Sequence, residues 1–486
     1  MNKRSITLQT FIRFVTQAIL KLRGFIFLPV ISKNLGAMGY GVYSQVTLTV
    51  GLLSPVLLLR LEVASVRYLS GKDSRELACG FFSMLSVILV LTSILTPLLF
   101  LFLEPIADFL FAGNSKGILY TKYLIFMLLT NVIFSFAISF YRAKEEITKF
   151  SIIQVTTTII IVGLSSYFVS TGGGIRELLL TFISINALSS VLILGDIIRI
   201  TGLPKGISFS RNLRYLSYSL PLIANSFLGW VINNSDRYFI AQILGLSQVG
   251  TYSASYSLGR LIIFFATAIG FVVFPPLSRL WDNGESEKVK TYLNASLEYI
   301  IILSLPAVFG LAYIAPVLLK VLATGEFVLG QAIFWLVGIS FFLKAVRSIF
   351  LHVWYLEEKT RYLPLLVVFA ASINLILNVF LIGRMGILGA AISTVVSYSF
   401  LALATIILAR RWLEVGIDAK LFSKVLVSAV TMFVFLHIFN LRELPLPLLS
   451  VLFGAIIYFV FLALLGGIGR REWELILSLF KKRVSE

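Results

Sequence analysis

Leu35-Gly36-Ala37-Met38-Gly39-Tyr40-Gly41-Val42-Tyr43-Ser44 and Leu244-Gly245-Leu246-Ser247-Gln248-Val249-Gly250-Thr251-Tyr252-Ser253 are two copies of one pattern. Leu-Gly, a glycine five residues later and Tyr-Ser recur with a shift of 209 positions. A second pair agrees almost as well: Glu145-Glu146-Ile147-Thr148-Lys149-Phe150 returns as Glu357-Glu358-Lys359-Thr360-Arg361-Tyr362. The chain therefore reads as a duplicated unit of about 210 residues, and the fold follows from the contents of each copy.

Those contents are apolar. Hydrophobic residues make up 58% of the 486 residues and charged residues 13%, with a mean hydropathy of +0.96. A soluble domain divides its core long before this length. The apolar runs extend for about 18–25 residues, enough to cross a hydrocarbon layer of about 30 Å as helix. Barrel strands would alternate over about 10 residues, and these runs do not. The expectation is an all-α integral membrane protein. The single cysteine, Cys79, excludes an internal disulfide, and His352 and His437 lie too far apart to suggest a metal site. The N-terminal run has Lys3 and Arg4 but no cleavage site of small residues, so it reads as a retained span.

Hydropathy and the Gly, Pro and charged breaks give about 14 spans, near 9–31, 40–60, 77–102, 118–141, 150–170, 176–197, 214–235, 248–275, 292–313, 328–351, 362–383, 386–409, 421–440 and 446–467. With both termini in the cytoplasm, Lys and Arg favour the inner connections roughly four to one, as the positive-inside rule requires. Arg60, Arg67, Lys72, Arg75, Arg142, Lys144 and Lys149 are among the inner cations; Lys33, Lys116, Arg176 and Arg384 are among the outer ones. The formal charge of +18 is thus explained by topology and by attraction to anionic headgroups, not by nucleic acid. Six spans fill each copy, so both enter the membrane from the same side, and two parallel repeats are expected: residues 1–205 and 206–411, with 412–486 supplying two further helices and a basic tail.

The first span carries the functional signal. On a helical wheel Gln9, Thr10, Arg13, Thr16, Gln17, Lys21, Arg23 and Gly24 share an arc of about 160°, and apolar residues fill the rest. A cation at mid-span costs about 2.5–3.5 kcal/mol on the lenient insertion scale. Arg13 lies near enough to the interface to snorkel, whereas Lys21 and Arg23 lie deeper. The repeat is a control: the shift of 209 carries Arg13, Lys21 and Arg23 onto Leu222, Trp230 and Ile232. The glycines were duplicated and the cations were not, which assigns the cations to a ligand.

Arg260, Lys344 and Arg347 are further cations within spans, and acids are scarce there. Arg13, Gln17, Lys21, Arg23, Arg260, Lys344 and Arg347 are therefore the expected binding residues for an anionic cargo. Asp236 and Arg237 end the seventh span; as neighbours in sequence they point apart and need not pair, and anchoring competes with gating or coupling. Asn374 and Asn378, one turn apart, suit interhelical hydrogen bonding or a coupling role. Pro29, Pro55, Pro221 and Pro306 fall in spans as kink points, while Pro275-Pro276 reads as punctuation at a span end. No Ser-His-Asp set, P-loop or carboxylate pair is visible, no metal or other cofactor is called for, and the chain does not read as an enzyme.

Arg23-Gly24-Phe25 running through Leu35-Gly36, Tyr40-Gly41-Val42-Tyr43-Ser44, Ser235-Asp236-Arg237-Tyr238-Phe239-Ile240, Leu244-Gly245, Val249-Gly250-Thr251-Tyr252 and Pro275-Pro276-Leu277-Ser278 follow one another in a telling order. In these stretches the chain resembles the polysaccharide-unit (O-antigen type) flippases of the multidrug/oligosaccharidyl-lipid/polysaccharide exporter superfamily. The resemblance implies a V-shaped pair of six-helix lobes working by alternating access in the cytoplasmic (inner) membrane. It implies as cargo an oligosaccharide unit on an undecaprenyl pyrophosphate carrier, carried from inner to outer leaflet. Membrane lipids, a polysaccharide polymerase and a chain-length regulator are the implied partners. By similarity to lipid II flippases, Arg13, Arg23 and Arg260 would face the pyrophosphate, and the last two helices would border the lipid tail. The rival readings are a multidrug and toxin extrusion exporter, which would need a lumenal carboxylate, and a non-transporting scaffold for envelope assembly.

Overall fold

The structure is a computed structural model that describes residues 3–202, 206, 209–440 and 447–467; within them the side chains of 3–15, 18, 21–22, 209–210, 225, 271–272, 274–275 and 447–448 lie outside the description. The described chain is all-α. In order, its helices are α1 (Lys3–Leu57), α2 (Leu61–Leu69), α3 (Ser74–Leu101), α4 (Leu103–Phe111), α5 (Gly117–Ala143), α6 (Ile147–Ser170), α7 (Ile175–Thr201) and α8 (Phe209–Asn234). They continue as α9 (Asp236–Leu244), α10 (Leu246–Asp282), α11 (Ser286–Leu322), α12 (Gln331–Leu356), α13 (Leu363–Met385), α14 (Ile387–Ala409), α15 (Ala419–Ile438) and α16 (Pro447–Leu464). Among the described residues twelve helices are long and apolar enough to cross a membrane, and Leu449–Leu464 is a shorter apolar helix. This is a multi-pass membrane protein. The expected fourteen spans are not established by that count: two of them, 9–31 and 40–60, fall in the single helix α1, which breaks at Gly36 (φ 65°, ψ −173°).

Two compact units divide the chain. The first comprises Met1–Ser253 and Leu322–Phe327; the second comprises Ala254–Val321 and Val328–Glu486. Within the first, the duplicated motif shows why its glycines recur. Gly245 (φ 89°, ψ 170°) stops α9 in the same non-helical conformation that Gly36 imposes on α1, a backbone state closed to residues with a Cβ. Beyond each stop the chain resumes as helix, and the two resumed segments cross backbone to backbone. A Cβ on Gly41 would stand 2.0 Å from the Leu246 carbonyl oxygen, and one on Gly250 would stand 2.0 Å from that of Ala37. These contacts are reciprocal under the shift of 209. The Ser44 and Ser253 hydroxyls, related by the same shift, hydrogen-bond at 2.7 Å. Small residues at membrane helix crossings permit this approach, and van der Waals contact then replaces the hydrophobic drive that lipid removes.

The other repeated pair aligns differently in space. Both α5 and α12 end with a residue in the left-handed conformation, Glu145 (φ 65°) and Glu358 (φ 54°). The Glu146 N–H donates to the Tyr141 carbonyl at 2.8 Å, and the Lys359 N–H donates to that of Trp354 at 3.0 Å. Glu145 therefore corresponds to Glu358, one position on from the match of letters. Such a stop satisfies the last carbonyls of the helix, at about 1–2 kcal/mol for a residue with a Cβ.

In the second unit the core is built on α10, α11 and α12, joined by α15 and α16. Tyr313 of α11 donates its hydroxyl to the Leu436 carbonyl at 2.6 Å, and Tyr458 of α16 donates to Ile302 at 2.8 Å. Each bond satisfies a phenol that would be costly to leave unpaired in an apolar medium. Pro275 and Pro276, expected as punctuation, lie inside α10. A membrane helix tolerates proline where neighbouring groups take up the freed backbone positions.

Candidate functional site

In the first unit Arg23 is half-buried on the first arm of α1. Its guanidinium carbon lies 5.7 Å from the ring centroid of Phe182 on α7. One turn on, Phe27 stacks against Phe182 at 5.7 Å and tilts against Tyr43 at 5.6 Å, so the cation closes one end of a buried aromatic cluster. Tyr43 belongs to the arm after the Gly36 break. The Ala37 N–H that opens this arm donates to Glu326 Oε1 at 2.8 Å, which fixes the turn. Among the described residues no carboxylate pairs with Arg23. Gln17 is exposed. The side chains of Arg13 and Lys21 lie outside the described residues.

The second unit holds Arg260, Lys344 and Arg347. Arg260 is exposed and follows Gly259, where an added Cβ would stand 2.4 Å from Val337 Cγ1; α10 thus lies directly against α12 at this point. Lys344 points its Nζ at Tyr398 (4.8 Å to the centroid) and Phe341 (5.2 Å). One turn later the Arg347 Nε donates to Thr405 Oγ1 at 2.9 Å. The Thr405 hydroxyl donates to the Leu401 carbonyl at 2.7 Å, and the Thr405 carbonyl accepts from Trp354 Nε1 at 3.1 Å. Arg347 is therefore oriented by a hydroxyl whose own hydrogen is committed to the Leu401 carbonyl. No described carboxylate pairs with it. A guanidinium satisfied at one edge keeps further N–H donors for an oxyanion.

Asp236 and Arg237 overturn one expectation. Adjacent in sequence, they nonetheless form an ion pair, Nη1 to Oδ1, at 2.6 Å. Both are 2% exposed or less. Asp236 opens α9 just after the chain leaves α8, and that turn folds the two side chains together. Tyr252 donates to Asp236 Oδ2 at 2.7 Å and carries the Arg237 guanidinium over its ring at 4.8 Å. Arg237 Nη1 also donates to the Asn233 carbonyl at 2.8 Å. Tyr252 is a residue of the repeated motif, so this knot ties α9 to the crossing of α1 and α10. On α13, Asn378 Nδ2 donates to Asn374 Oδ1 at 3.0 Å, and Ser393 of α14 hydrogen-bonds Asn378 Oδ1. Both asparagines are buried. Among the described residues no group of His, Cys, Asp and Glu is arranged to hold a metal.

Sequence reasoning found the cations and missed their companions. Phe182, Tyr398 and Thr405 come from other helices, and nothing in a single chain signals a partner more than 50 positions away. Tyr43 was within reach, because it recurs in both copies of the motif.

The chain resembles known proteins along much of its length. The family model described as "Polysaccharide biosynthesis protein" matches residues 7–281. Two Haloferax volcanii proteins align with it: the probable low-salt glycan biosynthesis flippase Agl15, at 22% identity over 52% of this chain and 54% of that one, and the probable flippase AglR, at 26% over 54% of each. The chain spans about half the length of these curated relatives. Among solved structures, the lipid II flippase MurJ in an inward closed conformation superposes with a TM-score of 0.72 at 16% identity, covering 94% of this chain and 98% of that one. An inward-facing multidrug resistance MATE transporter superposes at 0.66 with 13% identity, over 83% and 97%. At such identities the likeness establishes the fold.

Proposed function

The chain belongs to the family of polysaccharide biosynthesis proteins, and from that premise we propose that it is a flippase for a lipid-linked glycan. The cargo is an oligosaccharide on a polyprenyl pyrophosphate, taken from the inner to the outer leaflet by alternating access of two six-helix lobes, residues 1–205 and 206–411. The termini are cytoplasmic, as the distribution of Lys and Arg favours. The relatives named as flippases and the fold shared with a lipid II flippase support this reading.

One observation carries it: among the described residues Arg23 and Arg347 are matched by a ring and a hydroxyl, and no ion pair with an acid includes either. Arg23 meets Phe182 and Arg347 meets Thr405. Among the described residues the only fully buried charged side chains, Asp236 and Arg237, neutralise each other. A cation exporter needs a lumenal carboxylate, and the buried one is already committed. In the proposed cycle Arg13, Gln17, Lys21 and Arg23 of the first unit engage the pyrophosphate through charge-assisted hydrogen bonds, and Arg260, Lys344 and Arg347 are the second unit's own candidates for anionic cargo. The grip must weaken when the site opens outward, because a ligand bound equally in both states shifts nothing. The purified protein in liposomes, supplied with a fluorescent glycan on undecaprenyl pyrophosphate, should move it between leaflets. Flux no greater than in empty liposomes would end the flippase reading and leave the scaffold.

A further inference from the structure

Away from the residues assigned above, the end of α2 and the start of α8 form a cluster of a different kind. Arg67 lies over the ring of Tyr218 at 4.4 Å and near that of Tyr68 at 5.9 Å; Arg214 lies over the other neighbour of this group, Tyr68, at 5.1 Å. Tyr68 in turn packs on Tyr215 at 5.4 Å and edge-on to Tyr218 at 5.7 Å. The cluster is built in. Gly80 of α3 leaves room for both Leu69 and the Tyr215 hydroxyl, which would stand 2.3 Å and 3.2 Å from a Cβ there. The link before α2 holds two successive residues with a Cβ, Leu59 (φ 49°) and Arg60 (φ 55°), in the left-handed conformation. That strain fixes the course of α2 toward α8.

Both arginines are exposed, and no described ion pair includes Arg67, Arg211 or Arg214. Glu76, on the neighbouring α3, is engaged by Lys72 at 3.2 Å. Arg211 also stands in the first turn of α8, where the helix dipole disfavours a cation. Topology alone asks only for positive charge at this end of the helices. It explains neither the gathering of two guanidiniums on one tyrosine cluster nor a cation at the wrong helix terminus. An oxyanion bound there would satisfy both.

We propose that Arg67 and Arg214, stacked on Tyr218 and Tyr68, form a binding site for the phosphate of a lipid headgroup in the leaflet facing this end of the helices. The phosphate belongs either to the polyprenyl carrier awaiting entry or to an anionic phospholipid. The existence of the site is independent of the flippase reading; only the preference for the carrier rests on it.

Binding to the full-length protein in detergent micelles, measured by titration with undecaprenyl pyrophosphate and separately with phosphatidylglycerol, tests the proposal. The double variant Arg67→Lys/Arg214→Lys keeps the charge and loses the fork. It should bind the preferred lipid about tenfold more weakly, whereas Arg75→Ala on the same exposed end should not change it. Loss confined to undecaprenyl pyrophosphate supports the site and assigns it to the carrier; loss confined to phosphatidylglycerol supports the site and assigns it to the bilayer. Unchanged binding of both lipids by the double lysine variant overturns it, as does an equal loss in Arg75→Ala. Intact binding at this site with no glycan flux in the wild type would fail the flippase reading alone.

Discussion

Ser44 Oγ and Ser253 Oγ lie 2.7 Å apart, and the two residues are each other's equivalents in the duplication. A contact between equivalent residues lies on a local two-fold axis, and the reciprocal approach of Gly41 to Leu246 and of Gly250 to Ala37 surrounds the same axis. The motif was therefore retained in both copies because each copy packs against the other at this crossing.

Gly250→Ala and Gly41→Ala each place a methyl group on a carbonyl oxygen and must separate the helices. Each should destabilise the protein by about 1–3 kcal/mol or more, the range for overpacking. The loss should appear as a lower midpoint in thermal unfolding followed by fluorescence size-exclusion. The double variant should cost less than the sum, since one separation relieves both clashes. Wild-type midpoints for both single variants would show that the crossing is looser than described.

Asp236→Ala strands the Arg237 guanidinium in an apolar setting, at a cost of about 3–5 kcal/mol. We expect low abundance in the membrane and a lowered unfolding midpoint, with partial recovery in Asp236→Asn/Arg237→Gln. A variant Asp236→Ala that is abundant and stable yet inactive in transport would instead restore the coupling role.

Arg23→Ala and Arg260→Ala should each abolish glycan flux in liposomes while the protein remains inserted and abundant, as immunoblotting of the membrane fraction checks. Arg260→Lys should recover part of the flux, as a point charge replaces a planar fork. Wild-type flux in both alanine variants would remove the pyrophosphate assignment.

Ser393→Ala leaves Asn378 Oδ1 with one partner fewer between α13 and α14. Interhelical hydrogen bonds in membranes average about 0.6 kcal/mol and reach about 1.7, so a small stability loss with normal flux is expected. Flux that collapses at unchanged stability would make Asn374 and Asn378 part of the transport cycle.

The membrane class, the helical content and the duplication were legible in the sequence, because hydropathy and repetition are properties of the chain in one dimension. Gly36 and Gly245 could be recognised as special from their recurrence. That they break helices so that Gly41 and Gly250 can cross required the tertiary structure. The alignment at Glu145 and Glu358 shows the limit of letters: the chain matches one register and the hydrogen bonds another, since a helix stop depends on carbonyl geometry.

The sequence by itself determined which cations enter the apolar helices, because a charge among twenty hydrophobic residues is visible without coordinates. Only the tertiary structure decided what each cation meets: Phe182 for Arg23, Thr405 for Arg347, Asp236 for Arg237 and Tyr218 for Arg67. Apart from Asp236, these partners come from other helices. Helix-to-helix neighbours are set by packing at distances of a few ångströms, a quantity that spacing along the chain does not encode.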